Sequence, residues 1–182
     1  MGADIHLAVE IYLDGAWKNV IRDEPITYYG NHKTKEWYSG RNYVLFAALA
    51  DVRNASPGEE GWIPPISEPR GFPDDIDLRT VEPWDELNAD GADPYRNDGK
   101  ADGDHSESWL LLSEVLTWPV WTKPADRDEY LIRMVAGQLE YREEVAERCA
   151  SFLEVMRELK DWAQHKHGLA PDRVRLVYNF DN

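Results

Sequence analysis

The side chains most able to do chemistry in this chain are its histidines, the carboxylates beside them and a few arginines set among aromatic residues. Four fragments pair carboxylate with imidazole or imidazole with glycine: Asp4-Ile5-His6, Gly30-Asn31-His32, Gly103-Asp104-His105 and His165-Lys166-His167-Gly168. Two-metal phosphoesterases use such fragments because carboxylate and imidazole ligands at strand ends bracket two cations. Here the order and spacing differ from that pattern, and no Gly-Asp-x-x-Asp element separates the first two fragments. His165 and His167 precede Gly168 at a predicted helix end, where imidazolium complements the dipole. An acidic stretch holds Asp90, Asp93, Asp98, Asp102 and Asp104. Asp98, Asp102 and Gly103 match the first, fifth and sixth places of a calcium loop, but Lys100 and Trp109 stand where ligands are needed. A solvated, turn-rich insertion is the better reading, and no metal or other cofactor is expected.

A second constellation joins Arg41, Asn42, Arg53, Asn54, Glu68 and Arg70 with Trp37, Tyr38, Tyr43 and Trp62. Arginine forks suit phosphate or carboxylate, and aromatic faces suit bases or sugars. The competing account is that these arginines pair with the abundant Asp and Glu and hold down a long loop. A third group is His105-Ser106-Glu107-Ser108-Trp109. A histidine beside hydroxyls and a carboxylate could serve acid–base chemistry, with His6 and His105 as the candidate catalytic groups. Equally, Ser106 or Ser108 could cap a helix that follows. Nothing orients a nucleophile against a base, so a hydrolytic triad is not expected.

These residues must be positioned by elements legible in the pattern. Residues 5–13 alternate, with Ile5, Leu7, Val9, Ile11 and Leu13 on one side, which predicts a strand with one buried face. Asp14-Gly15 then predicts a hairpin. Residues 42–53 predict a helix that is apolar all round and therefore buried, capped by Ser39 or Asn42. Residues 54–108 read as a long loop broken by Pro57, Pro64, Pro65, Pro69, Pro73, Pro83 and Pro94. Its aromatic residues predict that 61–86 packs on the domain, while 88–104 is acidic, Gly-rich and mobile. Trp109 to Leu116 predicts a short helix, and residues 117–124 a packed loop. Val145, Cys149, Phe152, Met156, Leu159 and Ala163 form one stripe on a long C-terminal helix that stops at Gly168. Residues 174–180 predict a strand that pairs beside the first. The expectation is one α+β domain over 1–182: an N-terminal hairpin and C-terminal strand in a small sheet, packed on a buried helix and a long C-terminal helix.

Composition limits the function. With 182 residues, 42% of them hydrophobic, the chain can bury a core. A formal net charge of −15 argues against direct nucleic-acid binding, which needs clustered Lys and Arg. It allows an acidic nucleic-acid mimic that captures a basic host protein. The single cysteine, Cys149, reads as a buried, inert thiol. No secretion signal, membrane span or disulfide is expected, which fits a cytoplasmic, reducing compartment.

Several segments together resemble an uncharacterised family of phages and bacteria. Its members open with Met-Gly-Cys-Asp-Ile-His and carry Gly-Arg-Asn-Tyr-x-Leu-Phe-Ala, Pro-Ile-Ser-Glu-Pro-Arg-Gly-x-Pro, His-Ser-His-Ser-Trp and a C-terminal Phe-Asp-Asn. The matching residues are Asp4-Ile5-His6, Gly40-Arg41-Asn42-Tyr43 with Leu45-Phe46-Ala47, residues 65–71 with Pro73, His105-Ser106 with Ser108-Trp109, and Phe180-Asp181-Asn182. Ala3 stands where the family has cysteine, and Glu107 where it has a second histidine. The resemblance names a group and implies no activity. The leading expectation is a pocket roofed by residues 54–108 for a small anionic ligand, of nucleotide type, lined by Arg41, Asn42, Tyr43, Arg53, Glu68, Arg70, His105, Ser106 and Trp109. With a phage source, sequestration of a host signalling nucleotide in the host cytoplasm, a counter-defence role, would be its use. The alternatives are a metal-dependent or His-based hydrolase or phosphodiesterase, and the acidic mimic.

Overall fold

A four-stranded antiparallel sheet carries helices on one face and a tied-down loop on the other, an α+β fold. The computed structural model describes residues 3–28, 32–80, 105–124, 128, 131 and 140–181. The alternating segment forms β1 (Ile5–Leu13), and Asp14 and Gly15 reverse the chain into β2 (Ala16–Val20). Both turn residues have positive φ, 52° and 83°, the left-handed pair that a two-residue hairpin requires. A short ribbon follows, β3 (Ile26–Tyr28) and β4 (His32–Thr34), which the sequence did not announce. Its base is closed by the Arg22 N–H donating to the Lys35 carbonyl, 2.9 Å. Arg22 also forks onto Glu158 at 2.6 and 2.9 Å and lies over the Trp37 ring.

Helix α1 (Tyr43–Ala50) is capped by Asn42, whose Oδ1 accepts from the N–H of Val44 and Leu45, and it ends at Asp51 in the left-handed region. The remaining elements are β5 (His105–Leu111), α2 (Leu112–Thr117), α3 (Glu143–Arg148), α4 (Ala150–His167) and β6 (Val174–Phe180). The sheet order is β2-β1-β6-β5. Thus the last strand lies beside the first, Ile5 opposite Phe180 and Ile11 opposite Val174.

Two expectations need correction. Residues 105–111 are a strand, not the end of a loop and the start of a helix. Ser106 and Ser108 therefore cap nothing; Ser108 is a fully buried strand residue whose Oγ accepts from the Arg70 N–H at 3.0 Å. The helix starts at Leu112, where Glu114 accepts the Leu111 N–H at 2.8 Å. Serines at strand positions mimic helix caps because the same hydroxyl satisfies main-chain donors in both settings. The C-terminal stripe is also divided: α3 and α4 meet at Cys149, at φ −99° and ψ 10°. Residues 88–104, and with them Asp90, Asp93, Asp98, Asp102 and Asp104, lie outside the described residues, as do Gly30 and Asn31. The packing expected of 61–86 holds over the part described. Ile63 is buried, the Ile66 N–H donates to the Ala48 carbonyl, and Arg142 donates to the Trp62 carbonyl. No helix among the described residues is long and apolar enough to cross a membrane.

Odd positions of β1 and even positions of β6 form one core with Phe46, Leu49, Phe152 and Met156. The Tyr178 hydroxyl donates to the Leu49 carbonyl at 2.8 Å, tying the sheet to α1. Cys149 belongs to this core, and burial pushes its thiol up to about 12. On the opposite face Glu10 and Arg175 form an ion pair at 2.7 Å, and both side chains are at most 3% exposed. Arg175 donates to the Asp75 carboxylate and carbonyl, and Glu10 accepts from the Asp77 N–H and the Thr80 hydroxyl. Asp77 Oδ2 in turn accepts the Asn19 N–H. The segment 75–80 is thus fastened across the sheet by charge-assisted bonds.

Removing one partner of a buried pair leaves the other charge uncompensated. Arg175→Met is expected to cost about 3–5 kcal/mol in urea unfolding, and pairing it with Glu10→Leu should recover most of that loss. An unchanged urea midpoint in Arg175→Met would show that Glu10 finds another counter-charge. Arg79, with the Asn19 and Arg79 N–H groups in support, lowers the Asp77 carboxyl from 3.8 to about 2, against the opposing effect of burial. A lowered pKa contributes stability above the unfolded value and loses it as pH falls through the folded one. The stability difference between the wild type and Asp77→Asn should therefore be full above about pH 4 and vanish toward about pH 2. Acid titration of both proteins checks this; a difference that is constant over that range would refute it.

Candidate functional site

The end of the sheet where β1 begins and β6 stops gathers charged groups from three parts of the chain. The Asp4 N–H donates to Asp181 Oδ1 at 2.8 Å, and the Asp181 N–H returns to the Asp4 carbonyl at 3.2 Å. His6 Nε2 stands 3.3 Å from Asp181 Oδ2. Arg41, just before α1, closes a fork onto Asp4, Nε to Oδ1 at 2.7 Å and a terminal nitrogen to Oδ2 at 2.5 Å. This fork holds the Asp4 carboxyl below its usual range, with Arg41 as the largest influence, and raises the guanidinium in return.

The chain before α1 is shaped by close contact. A Cβ on Gly40 would lie 2.5 Å from the Tyr38 hydroxyl, so any other residue there must push the Tyr38 ring aside. Asn42 uses both ends of its amide. Its Oδ1 caps α1, and its Nδ2 donates to the Arg148 carbonyl at 2.7 Å, at the α3–α4 junction. This joins two segments 106 residues apart. Between them lies an open hollow of about 560 Å³, lined by Tyr38, Arg41, Asn42, Tyr43, Arg148 and Ser151. Tyr43 is 41% exposed. Among the described residues no carboxylate stands within ion-pairing distance of the Arg148 guanidinium.

His105 reaches the same end of the sheet from β5. Its ring stacks on Phe180 at 6.2 Å, Phe180 meets Phe46 at 5.0 Å, and Phe46 meets Tyr43 at 5.7 Å. His105 Nδ1 lies 2.9 Å from Ser106 Oγ. Ser106 is held at φ 56°, where β5 shifts register against β6. A smaller recess of about 100 Å³ adjoins His6, beside Asn19, Glu36, Trp37 and Thr80.

The residues expected to line one pocket therefore divide. Arg41, Asn42 and Tyr43 share the hollow; His6 joins them through Asp181 and Asp4, and His105 with Ser106 through Phe180. Arg70 and Trp109 lie at the outer edge of β5. There Arg70 forks onto Glu114 at 2.6 and 2.9 Å and covers the Trp109 ring at 4.8 Å. For Arg70 the competing account, a clamp on the loop, describes the geometry. Arg53 follows α1 in a left-handed turn, and Glu68 is exposed beside Ser67. Neither lines the hollow. Arg148 and Ser151 are the lining residues that sequence reasoning missed. The only local signal was the position of Arg148 beside Cys149, in what read as the solvent face of an unbroken helix.

Among the described residues, no three His, Cys, Asp or Glu side chains are grouped to hold a metal ion. No family model, curated protein or solved structure matches the chain. The close approach at Gly40 makes a direct test of the site's construction. Gly40→Ala is expected to displace the Tyr38 ring and cost about 1–3 kcal/mol. Thermal unfolding and the near-ultraviolet dichroism of the tyrosine environment read the effect, and wild-type values in both would refute the packing described.

Proposed function

We propose that this chain is a binding protein for a small anionic ligand of the nucleotide class, held in the hollow between the start of α1 and the α3–α4 junction. The observation that carries this reading is the Arg148 guanidinium, which has no carboxylate partner among the described residues and shares a recess with Arg41 in a chain of net charge −15. Pairing consumes Arg22, Arg70 and Arg175 elsewhere. An arginine left without a carboxylate beside an exposed tyrosine offers a fork for phosphate and a face for a base. The Asn42 amide and the Ser151 hydroxyl supply polar contacts, and the volume falls within the roughly 300–1,000 Å³ usual for ligand sites. In a phage protein, such a hollow would serve a counter-defence role, the sequestration of a host signalling nucleotide.

A hydrolytic reading has one observation in its favour, the 2.9 Å approach of His105 Nδ1 to Ser106 Oγ at a residue with strained φ. Turnover of the bound nucleotide would select it over binding alone.

Isothermal titration with mono-, di- and cyclic nucleotides tests the binding reading. Heat of binding and a raised melting temperature are expected for at least one member of that panel. Arg148→Ala should weaken that binding by about tenfold or more while leaving the fold intact, since a charge-assisted bond to phosphate is lost. Silence across the panel, or wild-type affinity in Arg148→Ala, would overturn the assignment.

A further inference from the structure

The two arginines of the hollow differ in one respect. Arg148 has no carboxylate partner among the described residues, whereas Arg41 is already forked onto Asp4 in the geometry a ligand's oxyanion would adopt. Both members of that pair are about half exposed, 52% for Arg41 and 48% for Asp4.

We propose that Asp4 is a built-in competitor for the ligand's anionic group, and that it sets a threshold of affinity which a phosphomonoester passes more readily than a carboxylate. This rests on the hollow being the binding site. A ligand carboxylate brings two oxygens and one charge, the same as Asp4. It therefore gains nothing by displacing a group that is tethered beside Arg41 and acts at an effective concentration that free ligand does not match. A phosphomonoester brings about −1.5 to −2 charge and three acceptor oxygens at neutral pH. It engages Arg41 and Arg148 together, which a planar carboxylate does less well. An exposed pair of this kind holds its geometry by no more than about fivefold, so displacement is within reach of a dianion. The released Asp4 side chain leaves the sheet intact, because its N–H and carbonyl remain bonded to Asp181.

The test uses inorganic phosphate and acetate as probes at about pH 8, where phosphate is a dianion. Titrations are followed by the amide resonances of residues 41–43 and 148. In the wild type, phosphate should move these signals at several-fold lower concentration than acetate. In Asp4→Asn, phosphate and acetate should each bind about three- to fivefold more tightly. Asp4→Ser is a second variant with the same expectation. Asp181→Asn removes a unit charge from the same cluster while leaving the Arg41–Asp4 fork in place, and should change phosphate affinity by less than about twofold. Adding Arg41→Gln to Asp4→Asn should cancel the gain. Equal phosphate binding by the wild type and Asp4→Asn would overturn the competitor role while leaving the binding site standing. So would a gain in Asp181→Asn as large as in Asp4→Asn. Phosphate that moves none of these signals in either the wild type or Asp4→Asn would overturn the competitor and the hollow together.

Discussion

A guanidinium buried on the second face of a central strand must be neutralised inside the protein, and Arg175 sets that requirement here. β6 is buried at all seven of its positions, so the strand has no solvated side to which a charge could turn. Glu10, directly opposite in the pairing register, meets the first part of the demand, and Asp75 meets the second. Burying Glu10 in turn requires donors for its other oxygen, and the Asp77 N–H and the Thr80 hydroxyl provide them. A stretch of the long loop, residues 75–80, that alone has no reason to adopt one path is thereby fixed across the sheet. The stacking of Arg175 on Trp17 at 4.2 Å adds an apolar lid to the same charge.

Much of this architecture was legible because period and punctuation agree at short range. The alternation in β1, the Asp14-Gly15 turn, the Asn42 cap and the Gly168 stop each depend on a few neighbouring residues. β5 escaped notice because its inward positions are Ser108 and Leu110, a polar and an apolar residue, which break the alternation. The serine is accommodated by the Arg70 main chain, a contact between positions 38 apart that no local pattern announces. The division of the last helix at Cys149 left no mark in a stripe that remains apolar across it.

The candidate site shows the same contrast. Arg41, Asn42 and Tyr43 came together because they are consecutive, and the geometry of one helix start keeps them so. Arg148 entered through the bond from Asn42 to its carbonyl, which depends on the whole stack of helices being in place. Arg70 has the same residue type and the same aromatic company as Arg41, yet it serves a strand edge. The difference lies in the neighbour each finds: Glu114 closes one fork over the edge strand at 29–32% exposure, while Asp4 closes the other at a half-exposed rim. Residue type proposes an anion contact, and only the burial of the counter-charge decides whether that contact remains open to solutes.

Cys149 carries a consequence for how the protein can be interrogated. It is the sole thiol, it is wholly inaccessible, and its proton is held far more tightly than that of a solvated cysteine. Maleimides and aromatic disulfides therefore reach it only when the core around the α3–α4 junction opens. The chain thus carries its own clock: the labelling rate reports the population of open molecules at low reagent and the opening rate itself at high reagent, with no other sulfhydryl to blur the record.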